Sequence, residues 1–222
     1  MKEEEKGGFN RRNFIGAVAV AGAGALLVGC EKTYPKLTFV DKAPDGAPLK
    51  AGLIGCGQRG TGAALDFLKA GPNLKVVALS DVFQDRVDTA RKTLANEAQT
   101  QIADDRCYVG FEGYKKLLES DVDVVLQATP PHFRAEHFEA AVEAKKQVFM
   151  EKPLGVDPVG VRSILASAEK AKAYNLRVVC GTQRRHQREY LETRNRVVNG
   201  AIGRIVAARA YWNMGQLWYR PP

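Results

Sequence analysis

From Leu49 onward the chain alternates short apolar runs with longer amphipathic segments, and this alternation constrains the fold more than any other feature. The apolar runs predict strands over residues 49–54, 75–80, 122–128, 147–150 and 176–180. The segments between them predict helices over residues 60–70, 84–103, 114–119, 134–144 and 157–174. Nearly continuous apolar strands that alternate with helices are typical of a parallel sheet covered on both faces. The sequence therefore predicts a doubly wound α/β domain over residues 49–181.

A glycine-rich turn, Gly55-Cys56-Gly57-Gln58-Arg59-Gly60, joins the first predicted strand to the first predicted helix. In such a turn Gly55 permits a tight bend, Gly57 leaves room for a diphosphate, and Gly60 lets the helix pack closely on the sheet. The free N–H groups and positive dipole of the helix N-terminus attract the same anion. We therefore expect a dinucleotide-binding domain of the Rossmann type, with Gln58 and Arg59 among the cofactor contacts.

Asp81 ends the second predicted strand, about twenty residues beyond the turn, where Rossmann domains place an acidic residue. Its carboxylate is placed to accept hydrogen bonds from the adenosine ribose and to repel a 2′-phosphate, which favours NAD over NADP. Arg59 or Arg86 is the counter-argument, because either guanidinium would attract that phosphate. A glycine-rich surface turn with a solvated aspartate is the non-functional interpretation of the same residues.

The character of the chain changes after Gly181. Residues 183–199 are basic and polar and predict a helix, and residues 202–212 are rich in β-branched and aromatic residues and predict the first strand of another sheet. A single strand cannot bury its own face. We therefore interpret residues 182–222 as the start of an incomplete α/β C-terminal domain, and the sequence as lacking its C-terminal half.

Residues 1–30 are interpreted as an export signal. Arg11 and Arg12 precede an uncharged stretch rich in alanine and glycine that ends at Cys30, which resembles a twin-arginine signal joined to a lipoprotein cleavage site. The sequence predicts a periplasmic protein or a lipoprotein anchored to the membrane through Cys30; an uncleaved anchor helix is the alternative. Twin-arginine export carries folded proteins, which suits one that loads a cofactor first. Residues 31–48 predict a linker.

Charge and cysteine spacing limit the other partners. The formal net charge is +8, but the basic residues are spread along the chain without interleaved aromatic residues, so nucleic acid is not expected as a partner. The four cysteines form no Cys-x-x-Cys pair and no Cys/His cluster, so no metal site is expected.

Two further loops follow predicted strands, and ligands of open α/β sheets bind at the carboxyl ends of strands. One carries Thr129, Pro130 and His132, which are expected to face the cofactor, and the other carries Glu151, Lys152 and Pro153. A lysine beside a nicotinamide ring and a reacting hydroxyl assists proton transfer. Taken alone, Glu151 and Lys152 would also fit a solvated ion pair, and His132 a histidine that only caps or packs. Gln183, after the last predicted strand, is either a further cofactor contact or part of a solvated helix start.

The order of these motifs resembles the glucose-fructose oxidoreductase / inositol dehydrogenase / MocA family (Gfo/Idh/MocA). The likeness covers about residues 49–222 and rests on the glycine-rich turn, Asp81, Thr129-Pro130, Glu151-Lys152-Pro153 and residues 200–205. It implies a two-domain enzyme with a Rossmann domain and a C-terminal α/β domain built on a large open sheet. It also implies that Lys152 is a catalytic residue beside the nicotinamide and the substrate hydroxyl, and that Glu151 lies near the cofactor ribose.

Two departures from the family pattern bear on function. Many members carry a histidine two positions beyond His132, where this chain has Arg134. The family's Asp/His catalytic pair belongs to the second domain, downstream of Pro222. The sequence is therefore expected to hold one half of the catalytic apparatus.

The expected function is NAD-dependent hydride transfer between a hydroxyl of a small-molecule sugar or polyol and the nicotinamide, in a protein that forms a homo-oligomer when full length. A second hypothesis is an NAD-dependent glycoside hydrolase, which oxidises a sugar transiently, eliminates the aglycone, adds water and reduces the product again. Export favours a trapped cofactor, because free NAD is scarce outside the cytoplasm. A third hypothesis is a non-catalytic dinucleotide-binding protein or an inactive fragment.

Overall fold

The computed structural model describes residues 46–215, which belong to two units that are described separately, one up to Thr193 and the other from Arg194. The predicted export signal, Cys30 and most of the predicted linker lie outside the described residues. Among residues 46–215 no helix is both long enough and apolar enough to cross a lipid bilayer.

The first unit contains a six-stranded parallel sheet with helices between the strands. The strands are β1 (Leu49–Ile54), β2 (Leu74–Asp81), β3 (Cys107–Val109), β4 (Val124–Gln127), β5 (Gln147–Met150) and β6 (Val178–Cys180). The helices are α1 (Gln58–Lys69), α2 (Gln84–Ala98), α3 (Gly113–Glu119), α4 (Arg134–Glu143), α5 (Pro158–Ala173) and α6 (Arg188–Val198), the last of which crosses into the second unit. The strand order is β3-β2-β1-β4-β5-β6, the order of a Rossmann domain. The predicted fold class of this region is confirmed.

The core lies on both faces of the sheet because successive strand residues point to opposite sides. In β1, Leu53 belongs to one buried cluster and its neighbour Ile54 to the other. In β4, Val125 and Leu126 divide in the same way. Each face is covered by apolar helix residues, such as Leu94 of α2 on one side and Phe138 of α4 on the other. This explains why the strands read as nearly continuous apolar runs.

Several predicted boundaries differ from the structure. The helix predicted to reach residue 103 ends at Ala98, where Gln99 adopts φ of 51° and the Thr100 N–H donates to the Leu94 carbonyl. Strand β3 was not predicted, because three residues are too few to show a period. Residues 183–199 form a 3₁₀ turn at Gln183–Arg185 and then α6, not one continuous helix.

The strand predicted over residues 202–212 is absent. Residues 201–215 of the second unit contain turns and irregular chain, and no strand. β-branched and aromatic residues favour a pleated surface only where a neighbouring strand pairs with their backbone groups. Local propensity alone was therefore the wrong guide here. The domain that we expect to begin at residue 182 stays a prediction.

Candidate dinucleotide-binding site

The glycine-rich turn leaves β1 in a conformation that only glycine adopts readily. Gly55 has φ of +96°, and a Cβ placed on it would lie 2.7 Å from the backbone nitrogen of Thr129. A Cβ on Gly60 would lie 1.8 Å from the carbonyl oxygen of Gly55. Both glycines thus allow α1 to start directly against the ends of β1 and β4.

Gly57, by contrast, borders open space. It is the N-cap of α1 and has no heavy atom within 4 Å of a Cβ built on it. No side chain caps this helix end, and the first turn carries no acidic residue. The N–H groups of the exposed residues Gln58 and Arg59 lie in that first turn, where amides have no partner within the helix. The open space and uncapped amides fit a diphosphate group.

Asp81 joins the end of β2 to the glycine-rich turn. Its Oδ2 accepts from the Cys56 N–H at 2.7 Å, and its Oδ1 accepts from the Phe83 N–H at 3.0 Å. Since an ionised carboxylate has about four acceptor positions, two remain for the hydroxyls of a ribose. Cys56 itself is buried, and burial raises the pKa of its thiol well above the ordinary range. This cysteine is a packing residue of the turn.

Glu151 follows β5 and is only 4% exposed. Its Oε1 accepts from the Arg59 Nε at 2.9 Å and also from the Arg59 Nη2. A Cβ on Gly181, at the end of β6, would lie 2.9 Å from three atoms of the Glu151 carboxylate. The missing side chain at Gly181 therefore leaves the room in which the carboxylate lies, and the ion pair ties α1 to the end of β5.

Arg134, the first residue of α4, is buried and binds carbonyl groups of two loops. Its Nε donates to the Thr129 carbonyl at 3.0 Å, and its Nη1 donates to the carbonyls of Glu151, at 2.7 Å, and Pro153. Its own carbonyl accepts from the Gln127 Nε2 at 2.9 Å. Burial lowers the pKa of the guanidinium, and the nearby Glu151 carboxylate partly offsets that effect.

The other predicted site residues follow β4, β5 or β6, so all of them lie at the edge where the parallel strands end, called here the carboxyl edge. Lys152 is exposed, as are Pro130, His132 and Gln183. Thr129 is buried, with its Oγ1 3.4 Å from the Nδ1 of His137. The ring of His132 contacts only Phe133 among the aromatic pairs of the described chain, edge to face at 5.2 Å. The sheet topology thus brings the predicted residues to one edge, with Lys152 accessible there.

Residues 49–182 match the model of the oxidoreductase family with an NAD-binding Rossmann fold, Gfo/Idh/MocA. The chain belongs to this family. The match includes every predicted site residue of this Gfo/Idh/MocA chain except Gln183, which follows its last residue.

Similar proteins include polyol dehydrogenases and glycosidases. Inositol 2-dehydrogenase from Salmonella typhimurium is 28% identical over 73% of the chain and 46% of its own length. A glycosyl hydrolase family 109 protein from Shewanella amazonensis is 27% identical over 95% of the chain and 48% of its own length. The chain thus spans about half the length of the curated relatives it matches.

Solved structures of similar fold differ in the cofactor they hold. Scyllo-inositol dehydrogenase from Lactobacillus casei, with bound NAD(H) and scyllo-inositol, is 25% identical over 70% of the chain and 42% of its own, with a TM-score of 0.58. A 3-ketoreductase from Actinomadura kijaniata, in complex with TDP-benzene and NADP, is 26% identical over 71% of the chain and 46% of its own, with a TM-score of 0.55. The structures similar to this chain therefore hold either dinucleotide.

Sequence reasoning missed three residues of this Gfo/Idh/MocA site. Arg134 was noted only as a departure from the family's histidine, and Gly181 only as the end of the domain. His137 is buried against Tyr114, with ring centroids 4.2 Å apart, and burial lowers its pKa. The one available signal was Arg134, a charged residue on the apolar face of α4. Its hydrogen-bond partners lie in two loops that come together only in the folded chain.

Proposed function

We propose that the chain is the cofactor-binding part of an NAD-dependent oxidoreductase that acts on a hydroxyl of a sugar or cyclic polyol. One observation carries this proposal. The glycine-rich turn with its open side at Gly57, the carboxylate of Asp81 and the exposed Lys152 share the carboxyl edge of one sheet. Ligands of such sheets bind at that edge, where the strand order reverses beside β1.

Different residues at this edge would bind different parts of the cofactor. The first-turn amides of α1 would bind the diphosphate, because no side chain competes for them. Asp81 would accept hydrogen bonds from the adenosine ribose with the acceptor positions that Cys56 and Phe83 leave free. Thr129, Pro130, His132 and Gln183 would border the nicotinamide end, since they follow the strands on the other side of β1.

Charge placement supports NAD over NADP. Asp81 presents a negative charge at the end of β2, where a 2′-phosphate would lie. The Arg59 guanidinium pairs instead with Glu151 at the end of β5, on the other side of β1 from β2. Arg86 lies 4.0 Å from the carboxylate of its neighbour Asp85. Each of the two arginines therefore pairs with a carboxylate other than that of Asp81.

In the chemical step Lys152 would act as the general base and acid. The bound nicotinamide would supply the hydride acceptor or donor. The amine of Lys152 would take the proton from the substrate hydroxyl as the C–H bond is broken, and would return it in the reverse direction. Glu151 stays paired with Arg59 and orients the loop that carries Lys152. The inositol dehydrogenases among the relatives support a cyclic polyol as the substrate class.

Replacing Asp81 by asparagine tests the cofactor preference. The change removes the negative charge but keeps one oxygen to accept a backbone N–H of the turn. We expect the affinity for NADH to fall and the NADPH-to-NADH affinity ratio to rise by about tenfold, the effect of one charged hydrogen bond. Fluorescence titrations with both cofactors measure the ratio. An unchanged ratio would show that Asp81 does not face the 2′ position.

The proposed activity is tested on the unmodified full-length protein. We expect NADH to bind in a saturable titration, and NADH absorbance to grow when the protein is mixed with NAD⁺ and myo-inositol or scyllo-inositol. Substrates lacking the hydroxyls, such as cyclohexane carboxylate, serve as the control. Absence of any dinucleotide binding would contradict the proposal.

A second candidate, which the comparisons do not favour over the first, is NAD-dependent glycoside hydrolysis; it rests on the Shewanella glycosyl hydrolase relative that aligns along 95% of the chain. The two reactions differ in their balance of NADH. Hydrolysis oxidises and then reduces the same sugar, so it releases nitrophenol from an aryl glycoside without net NADH. The dehydrogenase gives net NADH from a free polyol.

We also propose that the protein is exported in folded form and anchored through Cys30. The paired Arg11 and Arg12 and the uncharged stretch before Cys30 support this proposal. Folding before export would let the glycine-rich turn take up its dinucleotide in the cytoplasm.

A further inference from the structure

Lys152 lies between two residues whose carbonyl groups share one donor. The Nη1 of Arg134 donates to the carbonyl of Glu151 and to that of Pro153. The same side chain donates from Nε to the carbonyl of Thr129, at the end of β4. One guanidinium therefore joins the loop after β5 to the loop after β4.

The backbone of Arg134 is itself held in place by buried residues of β4 and α4. Its backbone carbonyl accepts from the side chain of Gln127, which is in β4 and only 1% exposed. Arg134 opens α4, whose Phe138 and Val142 are fully buried under the sheet. The guanidinium is thus held from a rigid element and reaches two loops.

This arrangement is costly to fold. Arg134 is only 5% exposed, and its hydrogen bonds are to carbonyl groups, while the nearby Glu151 carboxylate is bound by Arg59. A buried cation loses much of its hydration energy, and hydrogen bonds to carbonyl dipoles, with a carboxylate nearby but not bound to it, restore only part of that energy. An apolar residue would avoid that cost, but it would leave the carbonyls of Thr129, Glu151 and Pro153 without this donor.

We propose that Arg134 is a positioning residue for Lys152. It fixes the Glu151-Lys152-Pro153 loop against the end of β4, so that the Lys152 amine has one location at the carboxyl edge. The inference rests on the proposed function only for what Lys152 does there; the fixing of the loop is independent of it. We assign Arg134 no contact with the substrate or the cofactor.

The test compares Arg134→Met and Arg134→Lys with the unmodified full-length protein. Methionine fills similar volume but donates no hydrogen bond, and lysine keeps the charge but cannot reach both loops with two nitrogens. Hydrogen exchange followed by mass spectrometry reads the backbone amides of Met150, Glu151, Lys152 and Leu154, since Pro153 has no N–H. We expect their exchange to accelerate by about tenfold or more in Arg134→Met, because three carbonyls lose a charged donor, and by a smaller factor in Arg134→Lys.

Turnover supplies the second readout. Counted per NADH-binding site, kcat is expected to fall in both variants while the NADH dissociation constant and the KM for polyol change little, because the cofactor contacts of the glycine-rich turn are intact. General loss of stability would lower the number of binding sites and leave kcat per site unchanged. Arg91→Met is the matched control, since Arg91 pairs with the exposed Asp104 away from this loop.

Exchange of residues 150–154 at the rate of the unmodified protein in either folded variant would overturn the inference. If Arg134→Met does not fold, Arg134→Lys decides the matter by the same measurement. If the unmodified protein shows no turnover with any polyol, the proposed function fails, and the exchange result still decides whether Arg134 fixes the loop.

Discussion

Replacing Gly60 by alanine is expected to abolish dinucleotide binding and to destabilise the domain. The added Cβ would lie 1.8 Å from the carbonyl oxygen of Gly55 and 3.2 Å from the Cβ of Ala128. The atom that the new Cβ would meet first is a backbone oxygen, so no side-chain rotation relieves the collision. The start of α1 must therefore move away from β1 and β4, and its first-turn amides move with it.

The size of the effect follows from that displacement. Overpacking a well-packed site costs about 1–3 kcal/mol or more, and a backbone collision belongs at the upper end. We expect denaturant melts to show a loss of about 3 kcal/mol in the free energy of unfolding. We expect the NADH affinity to fall by about 100-fold or more, since several hydrogen bonds to the diphosphate are lost together.

Gly62→Ala is the matched control in the same helix. A Cβ on Gly62 meets no heavy atom within 4 Å. Alanine is favoured over glycine in a helix interior by about 0.5–1 kcal/mol, so this variant should bind NADH normally and melt at the same denaturant concentration or a higher one. NADH binding by Gly60→Ala equal to that of Gly62→Ala would show that close approach of α1 to β1 is not needed for the site.

The fold was predictable because its signals are local. Each buried strand has an apolar run of residues, and each covering helix has an amphipathic one. The positions of β1, β2, β4, β5 and β6 along the chain could therefore be predicted. The glycine-rich turn could also be predicted, because the adjoining strand and helix set the positive φ of Gly55 and the close approach of Gly60 to the Gly55 carbonyl. The prediction failed over residues 202–212, where strand propensity had no partner strand.

The interior of the site was not predictable for the opposite reason. Arg59 and Glu151 are neighbours only because α1 and β5 end at the same edge. Gly181 matters because of a carboxylate that precedes it by about thirty residues in the chain, the length of one βαβ unit. In the sequence Arg134 only marks a position where many family members carry a histidine, yet in the structure its side chain donates to three carbonyls. Sequence reasoning located the loops, but tertiary contacts decide how they are held.

Replacing Lys152 by methionine is the sharper test of chemistry. Lys152 is exposed at the carboxyl edge, and its loop is held through the carbonyls of Glu151 and Pro153, which the substitution leaves in place. The fold and the glycine-rich turn should therefore be unaffected. Methionine keeps an unbranched apolar chain of similar length but cannot accept a proton. Loss of a general base lowers kcat by about 10²–10⁴-fold.

The measurement separates proton transfer from binding. NADH titration should give the dissociation constant of the unmodified protein, while NADH formation from a cyclic polyol should fall by that factor. Lys69→Met serves as the control, because Lys69 is exposed at the far end of α1, away from the carboxyl edge, and it should keep full turnover. Normal kcat in Lys152→Met would remove the lysine from the chemical step, whereas weakened NADH binding with unchanged kcat would make it a cofactor contact only. Since a proton must leave the hydroxyl as the hydride departs, the first of these results would place the base elsewhere on this edge or in another part of the protein.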